Sequence, residues 1–165
     1  MTRRLILMRH GAAEAQGPWQ DDAARSLTDR GHADAAAMGR WLAGLARPDV
    51  ALVSSARRTR QTWEEVSAAW EVAPPCEPLD ALYLAEPGTM LRLLQDRSEA
   101  DVMIVAHFPG IGSLAALLAT GGPEQDRFAA YPTAGIAILT FPGGPWQDVQ
   151  PGSGRVEHFA APRDL

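Results

Sequence analysis

The sequence predicts an α/β fold, a three-layer α/β/α sandwich with a mostly parallel central sheet and an antiparallel edge near the C-terminus. Three observations predict it. Short apolar runs at 5–8, 50–53 and 101–106 have the length and composition of strands buried on both faces. Each run is followed by a segment of helical periodicity, and strand–helix alternation builds a parallel sheet through right-handed crossovers. After Gly121-Gly122-Pro123 the alternation stops, and 136–141 and 155–159 read as two strands joined by a Gly/Pro-rich connection.

The elements follow in order. The run Leu5-Ile6-Leu7-Met8 hands over to a loop at Arg9-His10-Gly11, and a polar stretch with Gly17-Pro18 and Asp21-Asp22 comes next. Thr28 is a suitable helix N-cap, and Asp29 puts negative charge in the first turn, where the dipole favours it. Met38, Trp41, Leu42 and Leu45 give that helix one apolar stripe, and Arg47-Pro48 ends it. The second strand stops at Ser54-Ser55. A helix from about Arg57 to Trp70 then carries Trp63, Val66 and Trp70 on one face, and Pro74-Pro75 breaks it. An extended piece around 79–84 leads through Pro87-Gly88 to a helix containing Met90, Leu91 and Leu94. The third strand ends at His107-Phe108-Pro109-Gly110, before an apolar helix over 111–118.

Composition bounds the function. With 165 residues, 46% apolar and 21% charged, the chain is expected to form a single domain over 1–165. One cysteine, Cys76, excludes a disulfide framework and a Cys-based zinc site. No apolar run approaches the roughly 18 residues of a membrane span. The N-terminus starts like a signal peptide but turns polar at Arg9-His10, so the expected location is the cytoplasm. A net charge of −5 argues against a broad grip on nucleic acid or anionic membrane. Any anion site must be a local cluster of positive charge.

Ligands of such sheets lie beyond the carboxyl ends of the strands. Three strand ends there deliver Arg9-His10-Gly11, the stretch Ser54 to Arg58, and His107 to one rim. A histidine can act as a nucleophile when it is neutral and one ring nitrogen is held by a hydrogen bond, which aims the other lone pair. Gly11 allows a close backbone approach to a ligand. Taken alone, Arg-His-Gly is better explained by a satisfied core histidine beside a surface arginine. Arg57, Arg58 and Arg60 at a helix start are harder to explain so, because the dipole there disfavours cations while free N–H groups and guanidinium forks suit phosphate oxygens. Two histidines and two arginines converging on one rim suggest phosphoryl transfer, in which positioning and electrostatic stabilisation do most of the work. No Walker loop or Gly-rich nucleotide fingerprint is present.

Four segments in order, Leu7-Met8-Arg9-His10-Gly11, Arg25-Ser26-Leu27-Thr28-Asp29-Arg30-Gly31, Ser54 through Thr62, and Ile104 through Gly110, resemble the histidine phosphatase (phosphoglycerate-mutase-like) superfamily. The short length, with Leu82-Tyr83 followed by Pro87-Gly88, looks most like its small SixA-like branch. The resemblance implies that His10 becomes phosphorylated, that Arg9 and Arg58 hold the phosphoryl group, and that His107 binds its oxygens and stabilises developing charge. Arg57 and Arg60 are then flanking charges. It implies a phosphatase without a metal or other cofactor. The expected substrate is a phosphorylated protein, such as a His-containing phosphotransfer domain, or a small phosphorylated molecule.

Two departures from that pattern stand out. The register at which larger relatives carry a carboxylate acid falls on Ala81, counted from Leu79, which leaves Asp80, Glu86 or no residue as the acid. Without an acid, phosphoramidates are favoured over stable alkyl phosphates. Phe108 stands where many relatives have asparagine, and either narrows the pocket mouth or contacts substrate. Among the other residues, His32 is expected to be solvated, His158 structural, and Trp41, Trp63 and Trp70 part of the core. Trp19 and Gln16 either touch substrate or lie on the surface. The alternative functions are a non-catalytic phosphate-binding module, a mutase, or a two-histidine metal enzyme, although carboxylates to complete a metal set do not recur at ligand spacing.

Overall fold

A computed structural model describes residues 2–165. Strands β1 (Arg3–Arg9), β2 (Val50–Ser54), β3 (Cys76–Leu79), β4 (Asp101–Ala106), β5 (Ile136–Phe141) and β6 (Arg155–Ala160) form one sheet in the spatial order β3-β2-β4-β1-β5-β6. The first four run parallel to one another; β5 pairs antiparallel with both β1 and β6. The expected antiparallel edge is therefore present.

Two helical layers explain why β1 is apolar without interruption. Successive side chains of a strand point to opposite faces. Leu5 and Leu7 join a core with α3 (Pro87–Gln95), α4 (Gly110–Leu118) and the one-turn α5 (Gln125–Phe128). Ile6 and Met8 join a separate core with α1 (Asp29–Ala43) and α2 (Arg57–Ser67). A strand covered on both faces has no solvent side on which to place polar residues.

Several boundaries differ from the sequence reading. The first helix ends at Ala43, capped by Gly44, so Leu45 lies beyond it and is exposed. Helix α2 ends at Ser67, and Trp70 packs on the core from the turn that follows. The segment 79–84 is not extended: the strand comes earlier, at Cys76–Leu79, and a 3-10 turn occupies Asp80–Leu82. Pro78 hid that strand. It is tolerated because β3 is the outermost strand, where one side of the ladder needs no donor. Helix α5 is too short to carry a readable period.

Thr28 does cap α1, its hydroxyl accepting from the Gly31 N–H at 2.9 Å. Trp63 is buried, whereas Trp41 and Trp70 are half-buried against the same core. Among the described residues no helix is long and apolar enough to cross a membrane.

Candidate active site

Parallel strands in register place their successors side by side. Arg9 of β1 sits opposite Ala106 of β4, and Val53 of β2 opposite Val105, so the residues after each strand meet at one rim. Strand β5 runs the other way, which brings the segment before it to the same place. The result is a cavity of about 450 Å³ whose walls include Arg9, His10, Arg58 and His107. Asp22, Arg25 and Thr133 complete its polar lining.

His10 is only 8% exposed. Its Nδ1 lies 2.7 Å from the Gly11 carbonyl oxygen; a carbonyl can only accept, so Nδ1 carries the proton. The proton is thereby excluded from Nε2, which keeps its lone pair. Burial, reinforced by the nearby Arg58 and Arg9 charges, pushes the His10 pKa down to about 4, so the ring is neutral near pH 7.

His107 is neutral for the same reason, its pKa pushed down to about 3 by burial first and then by the charges around it. Nε2 lies 2.7 Å from Ser54 Oγ, and Nδ1 lies 3.3 Å from Arg58 Nη2. Because a guanidinium only donates, Nδ1 accepts and Nε2–H donates to the serine. The two imidazole centroids are 5.4 Å apart.

Arg58 is 2% exposed although it carries a full charge. Burying an unpaired guanidinium is prohibitive, and Asp22 supplies the partner. Arg58 Nη1 donates to the Asp22 carbonyl oxygen at 2.8 Å and Nη2 to Oδ2 at 2.9 Å. The same carboxylate accepts from Tyr83 Oη at 2.5 Å and from Arg25 Nε at 2.9 Å. These donors, Tyr83 foremost, hold the Asp22 carboxyl far below the ordinary carboxylate range. Tyr83 also sets its ring edge-on to His107, with centroids 5.5 Å apart.

Arg9 is anchored by Nη1, which donates to the Tyr131 carbonyl oxygen at 2.7 Å, and its guanidinium lies 4.9 Å from the Phe108 ring centroid. Tyr131 is itself fixed, its hydroxyl donating to the Leu7 carbonyl oxygen at 2.6 Å. The Nε groups of Arg9 and Arg58 are buried without an acceptor. Three guanidiniums around one hollow attract an anion, which offsets their mutual repulsion.

The loop after β1 is held from two sides. Gln61 Oε1 accepts from the Leu27 N–H at 2.8 Å, and Thr62 Oγ1 accepts from the Gly11 N–H at 3.0 Å. Gly31 presses against this loop, and a Cβ there would stand 2.1 Å from the Ala12 oxygen. Gly11 needs correction as a ligand-binding residue. Its N–H is taken by Thr62, and the surface its missing Cβ lets in is the backbone of Gly31, at 2.7 Å.

Other expectations can now be placed. Neither Asp80 nor Glu86 lines the cavity; both are exposed, Asp80 in the 3-10 turn and Glu86 before α3, and Leu84 stands at the rim between them. Asp22 is the one carboxylate of the lining. Arg57 and Arg60 are exposed and flank the site. Phe108 forms part of the mouth. Gln16 bonds the Gln20 carbonyl oxygen within its own loop, and Trp19 is fully exposed. His32 is not simply solvated, since its Nδ1 sits 3.1 Å from Glu65 Oε1 across α1 and α2. His158 packs edge-on against Trp41 at 6.0 Å. Among the described residues, no three His, Cys, Asp or Glu side chains are grouped so as to hold a metal ion. Sequence reasoning missed Asp22, Tyr83 and the Tyr131–Thr133 segment. Arg25 lay within a quoted motif without an assigned role.

The geometry agrees with the comparisons. The family model for the histidine phosphatase superfamily (branch 1) matches residues 5–83. The phosphohistidine phosphatase SixA of Escherichia coli (strain K12) is 31% identical over 144 residues, covering 83% of this chain and 84% of that protein. The chain belongs to the histidine phosphatase superfamily. Among solved structures, a proposed SixA from Nakamurella multipartitia superposes with a TM-score of 0.86 at 26% identity, covering 98% of this chain and 97% of that one. The protein histidine phosphatase SixA complexed with tungstate gives 0.79 at 28% identity, covering 98% and 99%. This histidine phosphatase is therefore a hydrolase of phosphoryl groups, and the non-catalytic reading loses its ground.

Proposed function

We propose that this histidine phosphatase is a metal-independent phosphohistidine phosphatase acting on a protein substrate, with His10 as its nucleophile. The observation that carries the reading is the state of His10: neutral, with Nδ1–H tied to Gly11 and Nε2 left unprotonated on the cavity wall. Nε2 attacks phosphorus in line and forms a new N–P bond. The P–N bond of the substrate breaks, and its electron pair returns to the departing ring nitrogen. Water then attacks the phosphorylated His10, and the N–P electrons return to Nε2 as inorganic phosphate leaves.

Arg9, Arg58 and Arg25 face the charge that spreads over the equatorial oxygens, which is the main source of acceleration in phosphoryl transfer. His107 starts as an acceptor for Arg58. A proton taken from solvent onto its Nδ1, favoured by the arriving phosphoryl charge, converts it into a further donor to those oxygens.

The lining also supports the choice of substrate. Its one carboxylate, Asp22, is held ionised and occupied by Tyr83, Arg58 and Arg25, so it is a poor proton donor to a leaving group. An alkoxide leaving group needs such a donor. A phosphorylated imidazole does not, because its second ring nitrogen takes a proton from water and the ring departs neutral. The E. coli and tungstate-bound relatives are named for phosphohistidine and protein-histidine phosphatase activity, which fits.

The test compares wild type with His10→Ala on a histidine-phosphorylated phosphotransfer domain, free phosphoramidate and sugar phosphates, with and without chelator. The expected result is chelator-insensitive hydrolysis of the two P–N substrates, lost in His10→Ala. Turnover that survives the substitution removes the mechanism, and turnover that stops with chelator removes its metal independence.

A further inference from the structure

We propose that the mouth of the phosphate cavity is a protein-docking collar, made by Trp19, Leu84 and Phe108 together with the cleft bordering Phe108, and that its occupant is the folded surface around the phosphorylated histidine of a partner protein. The proposal rests on the phosphohistidine reading above and adds where the partner is gripped.

Its first support is the position of exposed apolar side chains. Leu84 is 55% exposed and Phe108 37%, and both line the cavity mouth. Trp19 is fully exposed on a loop that leaves the cavity at Ala13 and returns to it at Asp22. That loop is fastened internally by Gln20, whose Oε1 accepts from the Gly17 N–H at 2.9 Å. Exposed apolar side chains gathered beside polar, charged ground mark interaction sites.

The second support is backbone conformation. Trp19 has φ 64° and Leu84 φ 49°, a region that bulky L-residues rarely adopt. Each is held in an unfavourable conformation, Trp19 with its side chain wholly in solvent and Leu84 with about half of its surface exposed at the cavity. Such residues concentrate at ligand clamps. The third is a cleft of about 190 Å³ that also borders Phe108, walled further by Pro109, Ser113, Ala116 and Phe128. Phe108 lines both hollows, so a group in the phosphate cavity and an apolar side chain in the cleft share it as a common wall.

The pairing of positive charge with apolar surface selects among occupants. A collar of apolar groups around Arg9, Arg25 and Arg58 matches a phosphorylated side chain that projects from an apolar protein surface. A lone sugar phosphate offers nothing to Trp19 or the cleft.

The experiment measures kcat and KM for free N-phosphohistidine amino acid and for a histidine-phosphorylated phosphotransfer domain, in wild type, Trp19→Ala and Ser113→Trp, the last filling the cleft from the exposed face of α4. The expected result is a rise in KM for the phosphorylated domain of about tenfold in each variant, as for an interface anchor, with kcat/KM for the free amino acid within about twofold of wild type, because neither residue touches the phosphate cavity. The small substrate also reports that each variant is folded. Equal losses on both substrates, or no loss on either, overturn the collar. Failure of wild type to hydrolyse either P–N compound overturns instead the functional reading beneath it.

Discussion

The floor and the mouth of the cavity are built on opposite principles. On the floor every reactive side chain is fastened by other residues. His10 is tied to Gly11, His107 to Ser54 and Arg58, and Arg58 to both the backbone and the side chain of Asp22. At the mouth, Trp19 and Leu84 extend into solvent from residues at positive φ. The contrast follows from what each must do. Phosphoryl transfer depends on preorganised charge, where a displacement of 1 Å costs roughly 100-fold in rate. A docking surface must meet a partner whose shape the protein does not control. Positioning is therefore concentrated where bonds change, and exposure is tolerated where molecules meet.

The comparison can be broken or sharpened by substitution. The largest expected effect is on the floor: His10→Ala lowers kcat on any P–N substrate by roughly 10³-fold or more, measured by phosphate release, while substrate binding persists. Next is Asp22→Asn, which keeps the shape but removes the counter-charge of Arg58. Its kcat/KM is expected to fall roughly 10- to 100-fold on the small and the protein substrate alike. An equal loss on both distinguishes it from the collar variants, which act on the protein substrate alone. Normal activity in Asp22→Asn would show that Arg58 needs no positioning.

A smaller effect is structural. Gly31→Ala forces a methyl to within 2.1 Å of the Ala12 oxygen, and the denaturation midpoint should drop by the equivalent of about 1–3 kcal/mol. Gly144→Ala, at a turn with φ 120° and nothing within 4 Å of the added carbon, carries strain but no collision, and should leave turnover unchanged.

The last is a pH dependence. Both site histidines have folded pKa values below the usual 6.5, about 4 for His10 and about 3 for His107. The unfolded chain therefore binds more protons than the folded one as pH falls below 6.5. The stability these residues allow is complete above that pH, declines as pH drops, and is gone once both folded values are passed. Urea midpoints of wild type should fall more steeply between pH 6.5 and 4.5 than those of a His10→Asn/His107→Gln double variant. Parallel curves would mean that the histidines are not held neutral.

How much of this was legible in the sequence follows the same division. His10 and His107 stand directly after buried strands, and a parallel sheet brings such ends together whatever the loops do. Arg58 was legible because a buried-strand end, a helix start and the Arg-Thr-Arg-Gln-Thr motif coincide. Asp22 was not. One acid in a polar loop beside another, Asp21, has no periodicity, and its value arises only when the loop folds over α2 to meet Arg58. Tyr131 and Thr133 come to the site because β5 runs antiparallel beside β1; the sequence indicates an antiparallel pair at 136–141 and 155–159 but not which neighbour its first strand takes. The sequence register falls on Ala81 and leaves Asp80 or Glu86 only as fallback acids, and the turn at Asp80–Leu82 carries the chain past the cavity with Leu84 facing it. Gly11 was read for a ligand and turned out to admit a neighbouring glycine.

The most direct test of the central claim is a rapid-quench reaction with a substrate carrying ³²P on its phosphohistidine, followed by peptide mapping of the enzyme. The account predicts a transient label that is acid-labile and alkali-stable, located on His10 and absent from His10→Ala. Label on any other residue, or full phosphate release at wild-type rate with no labelled enzyme and none needed from His10, would contradict it.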